Sequence, residues 1–205
     1  IVDKDGVDTV LFNGKRKKHK DWTVGFCGHT RITSKRFSLI SEAAKLLPFE
    51  FDVRDFGDRI PHDKMPGWYS KIDCLVCASE HEGTPNPVLE AAAMRCAVVT
   101  TPVGYVPEMM ELGAQLRLLP QDPTAQEIAD AIQAAHDGYT KAEGDANRRC
   151  IVDHYKVDHS GFFSALDETS RSYSPEPKED APFKAVTPSV WNVPVVWHRW
   201  GMVKK

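Results

Sequence analysis

Between residues 22 and 137, short apolar runs alternate with amphipathic stretches, and this alternation constrains the fold of the chain more than any other feature. It is typical of βα units, which build a parallel sheet with helices on its faces. The predicted strands cover residues 23–27, 49–54, 74–77, 97–100 and 115–118. The predicted helices cover residues 35–46, 65–70, 87–94, 106–112 and 124–137, with one or two more between about 140 and 170. The sequence therefore predicts an α/β fold, a Rossmann-like doubly wound parallel sheet with extra C-terminal helices and a tail.

Composition excludes several classes of protein. The chain of 205 residues is long enough for one good core, and a net charge of −3 argues against nucleic acid as its main partner. The one basic cluster, residues 15–20, is interpreted as a solvated loop, with binding of anionic lipid or nucleic acid as the alternative. No segment approaches the roughly 20 apolar residues that span a bilayer. Five cysteines do not suggest a disulfide framework, so we expect a cytoplasmic setting and expect Cys74 and Cys77 to pack in the core.

The segment EGTPNPVLE, residues 82–90, directly follows the third predicted strand and combines a loop with a helix start. Asn86 suits an N-cap, and Pro87 suits the first helical position because its missing N–H would be unpaired there anyway. The backbone N–H groups of Val88 and Leu89 are then predicted to face a phosphate at the positive end of the helix. This end of the helix is therefore predicted to hold an anion.

Two carboxylates flank that predicted anion position. Glu82 precedes the turn and Glu90 lies one turn inside the helix. Carboxylates repel phosphate, whereas an ionised Glu accepts two O–H donors from a diol. An anion position between two diol acceptors describes a nucleotide-sugar site.

Residues 73–91 as a whole, DCLVCASEHEGTPNPVLEA, resemble the donor-site signature of retaining glycosyltransferases with the GT-B fold. The similarity is greatest to the large family-4 group, whose hallmark is Glu-x7-Glu, the spacing of Glu82 and Glu90. Residues 6–12, GVDTVLF, resemble the segment that follows the interdomain linker in these enzymes. The resemblance implies that the chain corresponds to the C-terminal, donor-binding half of such an enzyme.

The loop after the first strand departs from the family pattern, which usually has Gly-Arg followed later by Lys-Gly. Gly28 permits a tight turn and Lys35 matches the lysine, which the resemblance places near the diphosphate. His29 stands where the arginine is expected and Arg36 where the glycine is expected. A neutral imidazole offers one donor in place of a charged fork, so weaker diphosphate binding is one expectation, with compensation by Arg31 as the other. Arg95 replaces a second usual glycine at the far end of the signature helix.

The resemblance assigns roles to the remaining residues. Glu82 contacts hydroxyls of the donor sugar, Glu90 binds the nucleotide ribose, and Lys35 neutralises the leaving diphosphate without a metal ion. Glu82 and Lys35 are the expected catalytic residues. Arg59, in the loop after the second strand, stacks on the base or is a surface arginine. The full set expected to bind donor is Gly28, His29, Lys35, Arg59, Glu82, Gly83, Thr84, Pro85, Asn86, Val88, Leu89 and Glu90.

Other candidate residues carry weaker signals. The loop at residues 101–108, TPVGYVPE, is expected to shape the floor of the pocket. The histidines at 62, 81, 136, 154, 159 and 198 show no metal-ligand spacing and are interpreted as surface or core residues. His81 is singled out among them because it adjoins Glu82.

We therefore expect a linker segment at 1–21, a nucleotide-sugar-binding domain at 22–170 and a Pro- and Trp-containing tail at 171–205. The implied function is donor binding for retaining transfer of a hexosyl group from a UDP-, GDP- or ADP-sugar to a hydroxyl. The acceptor, a glycan, lipid or small molecule, would bind an N-terminal domain, so we expect this chain by itself to be inactive in transfer. Membrane association of the full enzyme is a further expectation. Two alternatives stay open, a non-catalytic nucleotide-sugar-binding or regulatory module and an α/β interaction domain with a vestigial motif.

Overall fold

The structure, a computed structural model, describes residues 6–17, 20–58 and 60–157. Within them, a sheet of five parallel strands has the order β2-β1-β3-β4-β5. The strands are β1 (Thr23–Gly28), β2 (Glu50–Asp55), β3 (Cys74–Cys77), β4 (Ala97–Thr100) and β5 (Arg117–Leu118). The predicted α/β, Rossmann-like fold is confirmed, and the strand order reverses between β1 and β3.

Six α-helices connect and cover these strands in the part of the chain that the structure describes. They are α1 (Phe37–Ala44), α2 (Met65–Tyr69), α3 (Asn86–Ala93), α4 (Val106–Glu111), α5 (Ala125–Gly138) and α6 (Lys141–His154). Short 3₁₀ turns lie at Thr33–Lys35, Phe56–Asp58 and His62–Lys64. None of the helices in the described ranges is long and apolar enough to cross a membrane.

The core has two layers because neighbouring residues of a strand point to opposite faces of the sheet. In β3, Leu75 and Cys77 join a cluster that includes side chains of α2, α3 and α6, whereas Cys74 and Val76 join one formed with α1 and α5. Both cysteines are free and buried, as predicted.

The segment before β1 belongs to the same core, although the sequence suggests a linker there. Val7 and Phe12 are buried, and Val7 pairs with Lys156 after α6. Asp8 fixes the turn between them by accepting hydrogen bonds from the N–H groups of Val10 and Leu11 at 2.9 and 3.0 Å. The predicted tail, 171–205, and residues 158–170 lie outside the described residues.

Two capping boxes set the starts of the long C-terminal helices. Thr124 and Glu127 form one at the start of α5, and Thr140 and Glu143 form a second one at α6. In contrast, no side chain caps α1. That helix begins after Arg36, whose φ of +50° is in the left-handed region usually occupied by glycine.

Candidate functional site

The candidate site lies at the carboxyl ends of the strands, where open α/β sheets bind ligands at the point of strand reversal. A cavity of about 330 Å³ opens there beside β1, β2 and the start of α3. Its lining includes Arg54, Asp55, His62, Asn86 and Glu90. Two larger cavities, of about 540 and 640 Å³, lie at the amino ends of the strands. We place the site in the smallest cavity because, of the three, it is the one lined by residues predicted to bind the sugar donor, Asn86 and Glu90.

The start of α3 corrects the predicted anion position. Asn86 is the first helical residue, Pro85 is the N-cap, and no side chain caps the helix. The carbonyl of Pro85 accepts hydrogen bonds from the N–H groups of Val88 and Leu89 at 2.8 and 3.2 Å. These two N–H groups are therefore occupied within the helix, and the side chains of both residues are fully buried in the core. Of this part of the signature, only Asn86 is exposed beside the cavity.

The loop before α3 is held from behind by the loop after β4. Gly104 has a φ of +53°, and a Cβ there would lie 2.5 Å from the carbonyl oxygen of Gly83 and 2.7 Å from Cδ of Pro85. The Thr101 hydroxyl also donates to the carbonyl of Ser79 at 2.6 Å. The 101–108 loop thus supports the segment of Gly83, Thr84 and Pro85 by close backbone contact.

Lys35 and Glu82, the two expected catalytic residues, are brought together although they are far apart in sequence. The Lys35 ammonium forms a salt bridge with Oε1 of Glu82, and the Ser79 hydroxyl donates to the same oxygen at 2.7 Å. The side chains are 26% and 15% exposed, so both can still meet a ligand. An ammonium has three donors, so Lys35 can hold Glu82 and a phosphate oxygen at the same time.

Glu90 forms a second cluster, with a residue that the sequence does not single out. Its side chain is 11% exposed, and Oε1 lies 2.8 Å from Nε2 of His62. The hydrogen bond to Glu90 raises the pKa of His62, against an opposing effect of burial. His62 is 28 residues away in sequence, so only the tertiary fold reveals this contact.

The remaining predicted residues of the first two loops are arranged around Asp55. Asp55 accepts hydrogen bonds from the Thr30 hydroxyl and from the N–H groups of Thr30 and Gly57, which lower its pKa to about 2. The His29 ring stacks on Phe56, with 4.9 Å between ring centroids. Gly28 is the last residue of β1, and a Cβ there would lie 3.2 Å from the Phe26 ring.

The structure thus separates the expected residues into two groups at one edge of the sheet, Lys35 with Glu82 and Asn86 with Glu90. Arg59 lies outside the described residues. Cys27 lines the cavity, and burial raises the pKa of its thiol to about 12, so it stays protonated and is a poor nucleophile. Within residues 6–17, 20–58 and 60–157 no group of three or more His, Cys, Asp or Glu side chains is placed to hold a metal ion.

Comparisons with known proteins agree with this fold. The sequence model of a family described as glycosyl transferases group 1 matches residues 4–137. A comparison with the curated proteins finds no match. Among solved structures, the C-terminal domain of a glycosyl transferase group 1 family protein, LpcC of Francisella tularensis, is similar with a TM-score of 0.62 and 23% identity, over 75% of this chain and 100% of that one.

Two longer proteins share the fold at lower identity. Sucrose-phosphate synthase of Thermosynechococcus elongatus is similar with a TM-score of 0.64 and 17% identity, over 82% of this chain and 51% of that one. HepE of Anabaena, in complex with UDP-glucose, is similar with a TM-score of 0.60 and 16% identity, over 82% of this chain and 56% of that one. This chain therefore spans about half the length of these two proteins. Its fold is that of the C-terminal half of GT-B glycosyltransferases.

Proposed function

The chain belongs to the glycosyl transferases group 1 family, and from this premise we propose that it binds a nucleotide-diphosphate sugar as the donor half of a retaining glycosyltransferase. The transferred group would be a hexosyl unit and the acceptor a hydroxyl of a glycan, lipid or small molecule. Because the chain spans about half the length of the longer similar proteins, we assign acceptor binding, and any membrane contact, to a separate N-terminal domain. By itself, the 205-residue chain should bind donor without robust transfer.

The observation that carries the proposal is the Glu90 carboxylate, largely buried at the edge of a 330 Å³ cavity. A carboxylate that is shielded from water and open to a cavity on one side is a good acceptor for the two O–H donors of a ribose. The cavity extends from Glu90 to Asp55 and Phe56, which supports placing the base beside β2.

The Lys35–Glu82 salt bridge supports the assignment of the diphosphate and the sugar. Glu82 keeps one carboxylate oxygen for sugar hydroxyls while Lys35 and Ser79 contact the other. Lys35 can then direct a further N–H at the diphosphate and stabilise the negative charge that develops on it as the glycosyl bond breaks. We propose that this leaving-group stabilisation needs no metal ion.

A second candidate is a nucleotide-sugar-binding module that has lost catalysis. The observation that favours it is His29, which replaces the family's arginine and stacks on Phe56. Transferase activity in a longer chain that includes an N-terminal domain would exclude this candidate.

The experiment that tests donor binding is calorimetric titration with UDP, GDP and ADP. Glu90→Ala and Glu90→Gln should each lower the affinity for the preferred nucleotide by about tenfold or more, which is roughly 1.4 kcal/mol of binding free energy. The matched control is Glu143→Gln, since Glu143 is also part-buried but pairs with Arg117 at the other end of the sheet. Equal affinity in wild type and both Glu90 variants, or no binding of any nucleotide by the wild type, would overturn the proposal.

A further inference from the structure

We propose that His62 is a positioning residue that makes Glu90 selective for ribose over 2′-deoxyribose. The inference rests on the proposed function and deepens it. It names a residue outside the family signature that makes the site prefer a ribonucleotide to a 2′-deoxyribonucleotide. The starting observation is the contact of 2.8 Å between His62 Nε2 and Glu90 Oε1 at the wall of the cavity.

His62 is fixed on two sides although its side chain is 47% exposed. It opens the 3₁₀ turn His62–Lys64, directly before α2. Its ring packs on Phe12, with 5.2 Å between centroids, and Phe12 is fully buried. The ring is therefore held from behind by the core while Nε2 is held by Glu90. An exposed imidazole without these restraints would sample several rotamers.

Holding His62 in turn holds the Glu90 carboxylate. Glu90 has three side-chain torsions, and its terminal torsion is broad when nothing restrains it. On its inner side lies the fully buried Tyr69, whose pKa is raised well above its usual value first by burial and then by the charge of Glu90. One carboxylate oxygen is thus fixed by His62, which restricts the rotation of the carboxylate at the cavity wall.

A fixed carboxylate distinguishes a diol from a single hydroxyl. The 2′- and 3′-hydroxyls of ribose donate two hydrogen bonds, whereas the 2′-deoxy sugar donates one. When one donor is missing, a largely buried acceptor that cannot turn toward water is left with an unmade hydrogen bond, and binding is weaker. If the restraint is removed, Glu90 can rotate to bind a single hydroxyl or water, and the preference for ribose falls.

The test compares the affinity for the best-binding nucleoside diphosphate with that for its 2′-deoxy form. His62→Phe keeps a ring on Phe12 but removes the donor, and His62→Gln restores a donor near the position of Nε2 without the ring. The matched control is His136→Gln, because His136 also contacts a carboxylate at 2.8 Å and packs on Phe49, but on α5 far from the cavity. All variants are titrated as the full 205-residue chain, with folding checked by circular dichroism.

We expect the wild type to prefer the ribonucleotide by at least about tenfold, the size of one charge-assisted hydrogen bond. His62→Phe should reduce this ratio to about threefold or less, and His62→Gln should recover most of it. The ratio in His136→Gln should equal that of the wild type. A merely structural role of His62 would lower stability and both affinities together without changing their ratio.

The outcomes separate this inference from the function on which it rests. A wild type that binds no nucleotide overturns the proposed function, and this inference with it. A wild type that prefers ribose, with the same ratio in His62→Phe, overturns the inference alone. Tighter ribonucleotide binding by His62→Phe would also overturn it, because His62 would then compete with the ribose for Glu90. If His62→Phe fails to fold, His62→Ala replaces it with the same expected ratio.

Discussion

The two ends of the sheet use charged side chains differently. At the amino ends, arginines donate to backbone carbonyls in addition to forming side-chain pairs such as Arg95 with Asp145. Arg148 reaches Phe12 and Ala93, both at 2.7 Å, and Arg95 reaches Gly14 at 2.8 Å. At the carboxyl ends, the main charged contacts join side chains to each other, as in Lys35 with Glu82 and His62 with Glu90.

This difference shows which end is built for stability and which for binding. A backbone carbonyl of the core cannot turn away to meet a ligand, so its arginine is a permanent part of the fold. A pair of part-exposed side chains beside a cavity can share its donors and acceptors with a ligand at little cost to the fold. Variants at the amino end should therefore change stability, and variants at the carboxyl end should also change nucleotide affinity.

The largest expected effect comes from two glycines with positive φ. Gly104, at the carboxyl end, has a φ of +53° and no room for a Cβ, whereas Gly113, at the amino end, has a φ of +92° and nothing within 4 Å. Gly113→Ala should cost about 1–2 kcal/mol of unfolding free energy, from backbone strain alone. Gly104→Ala should cost about 3 kcal/mol, because Gly83 and Pro85 must also shift, and it should weaken nucleotide binding.

Urea unfolding and calorimetry of the two variants measure both effects. Equal losses of stability, or unchanged nucleotide affinity in folded Gly104→Ala, would contradict the idea that this glycine supports the binding loop.

The sequence predicts the fold well because its signals are local. The predicted strands at 74–77 and 97–100 agree in full with β3 and β4, since a buried strand is a continuous apolar run wherever it lies in the fold. The Glu-x7-Glu spacing is also local, and it places Glu82 and Glu90 at one edge of the sheet.

The parts of the site that could not be predicted depend on tertiary structure or on one backbone angle. His62 meets Glu90 only because the turn after β2 folds over α3, and no spacing encodes that contact. The predicted cap at Asn86 is wrong by one residue, because the carbonyl of Pro85 already accepts from the N–H of Leu89 and Asn86 is the first helical residue. The helix predicted to start at residue 35 starts at Phe37, because Arg36 takes the left-handed conformation that separates the 3₁₀ turn from α1.

A smaller effect is expected at the two arginines that replace glycines of the family pattern. Both have positive φ, +50° at Arg36 and +58° at Arg95. Arg95, at the amino end, is held by Asp145 at 2.7 Å and by the carbonyl of Gly14, both part-buried contacts. Arg36 donates to the carbonyl of Gln121 at 2.6 Å and pairs with Asp122, both exposed contacts. Arg36→Gly should be within about 0.5 kcal/mol of wild type, because relief of strain offsets the loss of two exposed contacts.

Arg95→Gly should destabilise the protein by about 1 kcal/mol, since the relief of backbone strain is outweighed by the loss of two part-buried contacts. Urea unfolding of the two variants in parallel tests this order. If Arg36→Gly lost more unfolding free energy than Arg95→Gly, the carboxyl end would depend on its arginine for stability at least as much as the amino end does.

The smallest expected effect is a difference in how the two ends respond to pH. At the carboxyl end, the bond to Glu90 raises the pKa of His62. At the amino end, the bond from His136 lowers the pKa of Asp137. A raised pKa in the folded state means that the contribution of His62 is complete below its unfolded pKa of about 6.5 and is lost as the pH rises through the folded pKa. A lowered pKa means that the contribution of Asp137 is complete above its unfolded pKa of about 3.9 and is lost as the pH falls through the folded pKa.

The difference in unfolding free energy between wild type and Glu90→Gln should therefore shrink as the pH rises through the folded pKa of His62. The difference between wild type and Asp137→Asn should change only in acid, below about pH 4. Imidazole NMR titration gives the direct measurement, since Glu90→Gln should lower the pKa of His62 and Asp137→Asn should leave it unchanged. An unshifted His62 pKa in Glu90→Gln would mean that the two side chains do not pair in solution. The carboxyl end would then lack the fixed carboxylate that distinguishes it from the amino end.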